Sequence, residues 1–172
     1  MKGTSINHSP TQDVKIATGG VGGSQYDGHE YNLVSKALYC SAIDIMSVHG
    51  YMYQASNWGE FVPSLSDAAA AQGKHLMIEE WGVGTDSSMD SVADQAAVFN
   101  NNGVPWLYWM IISGMSVDES CDGQGACCHQ GLSTDVTQDF EVGLASSRAD
   151  WKTLIGTADS TTGRQDWTGY VY

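Results

Sequence analysis

The 172-residue sequence is poor in basic side chains, with 7 Lys and Arg against 20 Asp and Glu and a formal net charge of -13. No basic stripe is present that could displace counterions from a phosphate backbone, which argues against a nucleic-acid partner. The same acidity disfavours docking on an anionic membrane. The sequence also lacks any apolar run that approaches the roughly 18 residues of a membrane span. We therefore expect neither a nucleic acid nor a membrane as partner.

The N-terminal stretch, MKGTSINHSPTQDVK, has no apolar segment of the kind found in a secretory signal peptide. The cysteines nevertheless favour an extracellular protein. Cys40 stands alone, whereas three others crowd into the Gly-rich stretch SCDGQGACCHQG. This stretch is compatible with a disulfide-stapled loop, with free thiols, or with a zinc site completed by His129, although the adjacent Cys127 and Cys128 do not match the usual ligand spacing.

A repeated pattern of apolar runs organises the chain. With 42% hydrophobic and 16% charged residues, the composition is that of a globular protein. Strand-like runs begin at intervals of 29 to 32 residues, near Val14, Ile43, His75 and Val104. Between and after them lie segments with helical spacing, at 31–38, 67–72, 88–101 and 148–155. We predict a helix that starts after Pro63 and one that stops at Gly156.

This alternation predicts an α/β fold with about four parallel strands and flanking helices, in which the carboxyl ends of the strands share one rim. We expect one domain over 1–172, with a Cys-rich loop at 113–131 and a loose tail at 157–172. A Gly-rich turn, TGGVGGSQYDG, follows the first strand. Its glycines lack the G-x-G-x-x-G spacing of a dinucleotide-binding loop, so we interpret the turn as a flexible loop of the rim.

Polar and aromatic residues stand at the ends of three consecutive predicted strands. The second strand ends in His49 and Tyr51, the third in Glu79 and Glu80, and the fourth carries Trp109. Period-two alternation lets only one of the two glutamates face the site, so Glu79 should point away if Glu80 points in. Each residue alone would more often be structural. Together, a carboxylate, an imidazole, a phenol and an indole are typical of a sugar site.

The segments IDIMSVHGYM, KHLMIEEWGV and GVPWLYWMI resemble the C-terminal half of a family 5 glycoside hydrolase, a (β/α)₈ barrel of the cellulase and endo-β-mannanase type. The resemblance covers roughly residues 12–112. It implies a fold that is the C-terminal half of such a barrel and a retaining hydrolysis of a β-linked polysaccharide, of the mannan or cellulose type. It also implies no metal and no cofactor. Secreted fungal enzymes are the relatives that these motifs suggest.

The resemblance also implies roles for single residues. Glu80 corresponds to the nucleophile. His49 and Tyr51 correspond to the His-x-Tyr pair, in which the histidine helps to bind the sugar and the tyrosine contacts the nucleophile. Trp109 corresponds to the tryptophan on which the sugar stacks, with Trp81 and Trp58 as further stacking candidates.

One part of the family pattern is missing, since no Asn-Glu pair occurs to supply the acid/base of the Asn-Glu-Pro motif. That motif would belong before Met1. Glu30, Glu60 and Glu119 lie on predicted rim loops, where a proton donor could stand. Three hypotheses follow: a truncated enzyme, a homodimer that rebuilds a barrel through exposed strand edges, or a non-catalytic carbohydrate-binding protein.

Overall fold

The computed structural model describes residues 14–22, 33–84, 87–112, 140, 142–143, 148–159, 165–167 and 170. The strands are β1 (Val21–Gly22), β2 (Ile45–Gly50), β3 (His75–Trp81), β4 (Trp106–Tyr108), β5 (Ile111–Ile112) and β6 (Val142–Gly143). The helices are α1 (Ser35–Leu38), α2 (Ala55–Ala70), α3 (Val92–Asn101) and α4 (Trp151–Asp159).

The first four strands form one parallel sheet in the order β1-β2-β3-β4. Strands that neighbour in space are thus also neighbours in sequence, the order found in a (β/α) barrel. The chain before β1 joins the sheet through a bridge between Ala17 and Ile45. The short β5 and β6 pair separately, also in parallel. This arrangement confirms the predicted α/β class with parallel strands and intervening helices.

The hydrophobic core lies between one face of the sheet and the helices α2 and α3. Leu76, Ile78 and Trp81 of β3 are buried on this face. They share the core with Trp58 of α2 and Phe99 of α3, whose rings stack edge to face at 4.9 Å between centroids. The opposite face of β3 is open and carries half-buried side chains, those of His75, Met77, Glu79 and Glu80.

Helix α2 starts well before Pro63, contrary to the expectation of a helix that follows this proline. A proline inside a helix removes a hydrogen bond and costs about 3 kcal/mol. Here a stripe of buried side chains at helical spacing continues on both sides of it, formed by Trp58, Val62, Leu65 and Ala69. The burial of this stripe outweighs the local cost, so packing rather than propensity sets the boundary.

Helix α3 lies within the predicted segment 88–101 and begins at a capping box. The hydroxyl of Ser91 accepts a hydrogen bond from the Asp94 amide, and the Asp94 carboxylate accepts one from the Ser91 amide. Helix α4 runs three residues past the predicted stop at Gly156. Leu154 on its buried side packs into the core, and a lone exposed glycine does not end a helix held in this way.

The described part of the tail is held against the start of β3, which differs from the loose tail expected from composition. The Gln165 side-chain oxygen accepts a hydrogen bond from the Leu76 amide at 3.0 Å. The His75 ring contacts the Asp166 carbonyl and lies 4.1 Å from the ring centroid of Tyr170. These contacts lie at the amino end of β3, opposite the rim that carries the candidate site.

The Cys-rich loop at 113–131 lies entirely outside the described residues, and with it Cys121, Cys127 and Cys128. Cys40 is exposed and not in a disulfide. The disulfide, thiol and zinc alternatives therefore stay predictions. Within the described ranges, no group of three or more His, Cys, Asp or Glu is arranged to hold a metal ion. None of the helices in those ranges is long and apolar enough to cross a membrane.

Candidate active site

The candidate site lies at the carboxyl ends of β2 and β3. His49 belongs to β2 and Tyr51 follows directly after it, while Glu79 and Glu80 lie near the end of β3. Because the two strands are parallel neighbours, their carboxyl ends meet at the same edge of the sheet. The structure thus brings together His49, Tyr51 and Glu80, as the spacing of the predicted strands requires.

A β-bulge in β3 places both glutamates on the open face of the sheet. Val48 pairs with Ile78, but the next residue, His49, pairs with Glu80, so that Glu79 is an extra residue in β3. The burial pattern changes phase at the same point: Glu79 and Glu80 are both half-buried between the buried Ile78 and Trp81. The expectation that Glu79 points away is therefore wrong, because it assumed unbroken alternation.

Two side chains, Tyr51 and His49, contact the carboxylates. The Tyr51 hydroxyl donates a hydrogen bond to Glu80 Oε1 at 2.6 Å. His49 lies between the two glutamates, with Nδ1 3.5 Å from Glu80 Oε2 and Nε2 3.3 Å from Glu79 Oε2. Burial, and next the hydrogen bond to Glu80, raise the pKa of Tyr51 well above its usual range. Tyr51 therefore keeps its proton at neutral pH and acts as a donor to Glu80.

Two glycines let the backbone approach these side chains closely. Gly20 has a positive φ of 58°, and a β-carbon there would collide with the imidazole of His49 and lie 3.0 Å from Glu79 Oε2. At Gly82, a β-carbon would lie 2.6 Å from the Trp109 carbonyl oxygen and 3.2 Å from the ring of Tyr51. Gly20, near the start of the Gly-rich turn, thus forms part of a wall of the site, while residues 23–28 of the turn lie outside the described residues.

We expect Gly20→Ala to destabilise the protein more than Gly19→Ala, which serves as a matched control. Both glycines have positive φ, so either alanine costs about 1 kcal/mol of backbone strain. A β-carbon at Gly19 meets nothing within 4 Å, whereas at Gly20 it meets His49. Urea unfolding measures the difference, and the ring resonances of His49 should move only in Gly20→Ala. Equal effects of both variants on stability and resonances would contradict the close contact.

Of the three tryptophan candidates, only Trp109 presents its ring to solvent, with 49% of its surface exposed. Its amide donates a hydrogen bond to the Trp81 carbonyl at 2.7 Å, which ties the end of β4 to the end of β3. The same residue contacts Gly82 through its carbonyl. Trp109 therefore stands at the rim beside the segment that follows Glu80, with about half of its surface exposed.

Trp81 and Trp58 are fully buried, which corrects the expectation that they stack on a sugar. Trp81 points away from the open face and packs edge to face against Phe99, Trp106 and Tyr108, at centroid distances of 4.9 to 5.3 Å. The bulge causes this orientation, because it returns Trp81 to the face that carries Ile78. Neither indole has a face left for a ligand.

Trp58 contributes to the site indirectly, through the buried Gln95. The Trp58 indole donates to the Gln95 side-chain oxygen at 2.8 Å, and the Gln95 amide nitrogen donates to the Met52 carbonyl at 2.8 Å. Met52 directly follows Tyr51. The core thus fixes the backbone of the loop that carries the tyrosine.

The segment after Glu80 is also fixed, by contacts around Val83. The hydroxyl of Tyr108 accepts from the Val83 amide at 3.1 Å and donates to the Val83 carbonyl at 3.3 Å. Arg148 donates to the same carbonyl. Burial raises the pKa of Tyr108, so its hydroxyl keeps the proton that this contact uses. Phe140, whose ring centroid lies 4.4 Å from that of Tyr51, completes the surroundings of the site.

The described residues do not supply a second carboxylate that faces Glu80 across a substrate. Glu60 lies exposed on α2, and Glu30 and Glu119 lie outside the described ranges. Glu79 shares one strand and one imidazole partner with Glu80. Retaining hydrolysis instead requires two carboxyl groups that flank the glycosidic bond, about 5–5.5 Å apart.

No family model and no curated protein sequence matches this chain. A solved structure does match: the endo-β-1,4-mannanase from Thermotoga petrophila, with a TM-score of 0.52 and 16% sequence identity. The chain has the fold of part of a barrel. The match covers 74% of this chain and 28% of the mannanase, so the chain spans about 28% of that enzyme's length. At this identity the likeness shows an α/β architecture that resembles part of a glycoside hydrolase barrel.

Proposed function

We propose that this chain is the nucleophile-bearing part of a retaining glycoside hydrolase of the family 5 type, which acts on a β-linked polysaccharide such as mannan or cellulose. The observation that carries the proposal is the 2.6 Å hydrogen bond from Tyr51 to Glu80 beside His49, at the carboxyl ends of parallel strands. The likeness of the fold to an endo-mannanase supports it.

In the proposed reaction, a Glu80 carboxylate oxygen attacks the anomeric carbon of the sugar. A bond forms between that oxygen and the anomeric carbon, while the bond from this carbon to the leaving oxygen breaks and its electron pair departs with the leaving group. Tyr51 holds the other carboxylate oxygen, which orients the attack. His49 contacts the sugar and Glu80, and Trp109 stacks on the sugar ring. Water then hydrolyses the glycosyl ester.

A natural polysaccharide needs a proton for its leaving oxygen, but an activated aryl glycoside does not. The leaving group of a dinitrophenyl β-mannoside or β-glucoside departs as a stable phenolate. The attack can therefore be tested on the full chain without a proton donor. We expect a burst of dinitrophenolate equal to the amount of protein, and a mass increase of one sugar on the peptide that contains Glu80.

An adduct on any other residue, or no adduct with either glycoside, would overturn the proposed nucleophile. Binding of an oligosaccharide without any adduct would instead favour the carbohydrate-binding alternative. That alternative has its own support in the absence of a proton donor among the described residues.

We expect Trp109→Ala to weaken the binding of a manno- or cello-oligosaccharide about tenfold, equivalent to about 1.4 kcal/mol. The exposed indole is the stacking surface that remains after Trp58 and Trp81 are assigned to the core. Tyr39→Ala is the control, because Tyr39 is an exposed aromatic residue that follows α1 at the opposite end of the sheet. Calorimetric titration measures the affinity of each variant for the oligosaccharide. Equal affinities of Trp109→Ala and Tyr39→Ala would show that Trp109 does not bind the sugar.

We also propose an extracellular location and a homodimer formed through strand edges. β4 is an edge of the four-stranded sheet, and Leu107 and Ile111 on or beside it are 56% and 44% exposed. Unpaired edges with apolar side chains favour association. Light scattering coupled to size-exclusion chromatography should give the mass of two chains, and Leu107→Lys should shift it to that of one. A single-chain mass before substitution would exclude the homodimer.

A further inference from the structure

We infer that Glu79 is a positioning residue for the proposed nucleophile: its carboxylate holds the imidazole of His49 with Nδ1 towards Glu80. The effect of Glu79 on rate rests on the proposed function. Its effect on the ring of His49 does not, because it follows from contacts within the chain.

The bulge creates this arrangement. Without the extra residue in β3, period-two alternation would turn one of two successive side chains to the helix-covered face. With it, Glu79 Oε2 and Glu80 Oε2 lie against opposite nitrogens of one ring, at 3.3 Å and 3.5 Å. All three side chains are only 22–28% exposed, so water screens these contacts less than on an open surface.

The two ring nitrogens of His49 each face a different carboxylate. A neutral ring carries one N–H and can donate to one carboxylate, whereas the doubly protonated ring can donate to both. Among the described residues, the ionisable groups in contact with the ring are Glu79 at Nε2 and Glu80 at Nδ1, and Tyr51 reaches the ring through Glu80. The Glu79 carboxylate therefore anchors Nε2 and keeps Nδ1 facing Glu80.

Gly20 closes the remaining side of the ring. Its backbone lies so close to His49 that no side chain fits between them, and it lies near Glu79 Oε2 as well. The imidazole is thus confined between the loop before β1 and the two glutamates.

The test compares Glu79→Gln with the unchanged chain by nitrogen NMR of the histidine side chains, with His49 assigned from His49→Gln. Glutamine keeps the shape and an acceptor oxygen but removes the charge. We expect the ring nitrogen resonances of His49 to move, because the charged partner of Nε2 is lost. Glu79→Asp, which keeps the charge but on a shorter side chain, should give a smaller change.

The rate of dinitrophenolate release should fall about 10- to 100-fold in Glu79→Gln, the range typical when a group that orients a functional histidine is removed. Unchanged His49 resonances in folded Glu79→Gln would overturn the inference, whatever the activity. Changed resonances in a chain that forms no adduct on Glu80 would retain the effect on His49 and overturn the proposed function instead. Glu60→Gln, on the exposed side of α2, is the control for removing a surface charge.

Discussion

Glu80→Gln is expected to lower the rate of dinitrophenolate release by roughly 10⁴-fold or more, because it removes the attacking group itself. Glutamine has the shape of glutamate and still offers an oxygen to the Tyr51 hydroxyl, so the hydrogen bond that now measures 2.6 Å can persist. The loss should therefore appear in the chemical step and not in folding. Stopped-flow absorbance of the released phenolate measures the rate, and thermal unfolding checks the fold.

Two further variants make this prediction specific. Glu60→Gln removes a carboxylate from the exposed surface of α2 and should leave the rate unchanged. In Glu80→Ala, the space left by the side chain should admit azide, which attacks the anomeric carbon directly and yields a glycosyl azide of inverted configuration. Retained activity in Glu80→Gln, or an azide product of retained configuration, would contradict the role of Glu80.

The second large effect concerns stability: Trp81→Ala should lower the free energy of unfolding by about 3–5 kcal/mol. The indole is fully buried and packs edge to face against Phe99, Trp106 and Tyr108. Its removal leaves a cavity between β3, β4 and α3. Because whole domains are stable by only about 5–15 kcal/mol, this variant is expected to be partly unfolded at room temperature.

Urea unfolding measures this change, with Trp81→Phe as the variant that keeps most of the packing and remains folded. Phenylalanine should cost less than alanine but still clearly more than Trp109→Ala, whose half-exposed ring contributes little to the core. A Trp81 variant as stable as the original would show that this ring is not part of the core. The comparison between Trp81 and Trp109 thus separates a core indole from one at the rim.

The order of parallel strands and helices could be predicted from sequence, because apolar runs at a regular interval with helical segments between them have few other solutions. Segment ends were harder. At Pro63 the local signal for a boundary is strong, but the buried stripe through Trp58 and Ala69 is stronger, and only the packed structure reveals which side of the helix is covered. At Gly156 the local signal also predicts a helix end, but the burial of Leu154 in the core holds the helix beyond it.

The joint position of His49, Tyr51 and Glu80 could likewise be predicted, since each follows from a strand end and a motif. The role of Glu79 could not. A bulge is a property of pairing between two strands, and the extra residue becomes visible only when Val48 and His49 are matched to their partners in β3. The adjacent glutamates were the one signal in the sequence, and strict alternation assigned them to opposite faces.

The same shift of phase puts Trp81 on the face of β3 that carries Ile78. Trp81 is three positions after Ile78, which in a regular strand would place the two on opposite faces. The bulge puts both side chains in the core. The expectation that Trp81 stacks on a sugar came from the resemblance, and alternation after Glu80 already turns this indole away from the site.

Gln165 has a consequence for the solubility of the protein. β3 begins before its neighbour β4 does, since Ile78 is the first of its residues to pair with β4. The Leu76 amide therefore points to a side of β3 where no strand of the described ranges lies. Unpaired amides on such an edge are a template for strands of other molecules. The side-chain oxygen of Gln165 accepts the hydrogen bond of this amide, and its side-chain nitrogen donates one to the hydroxyl of Ser66 on α2. A single glutamine from the tail thus blocks addition of a foreign strand at this point, and its loss would favour aggregation before it affected the rim.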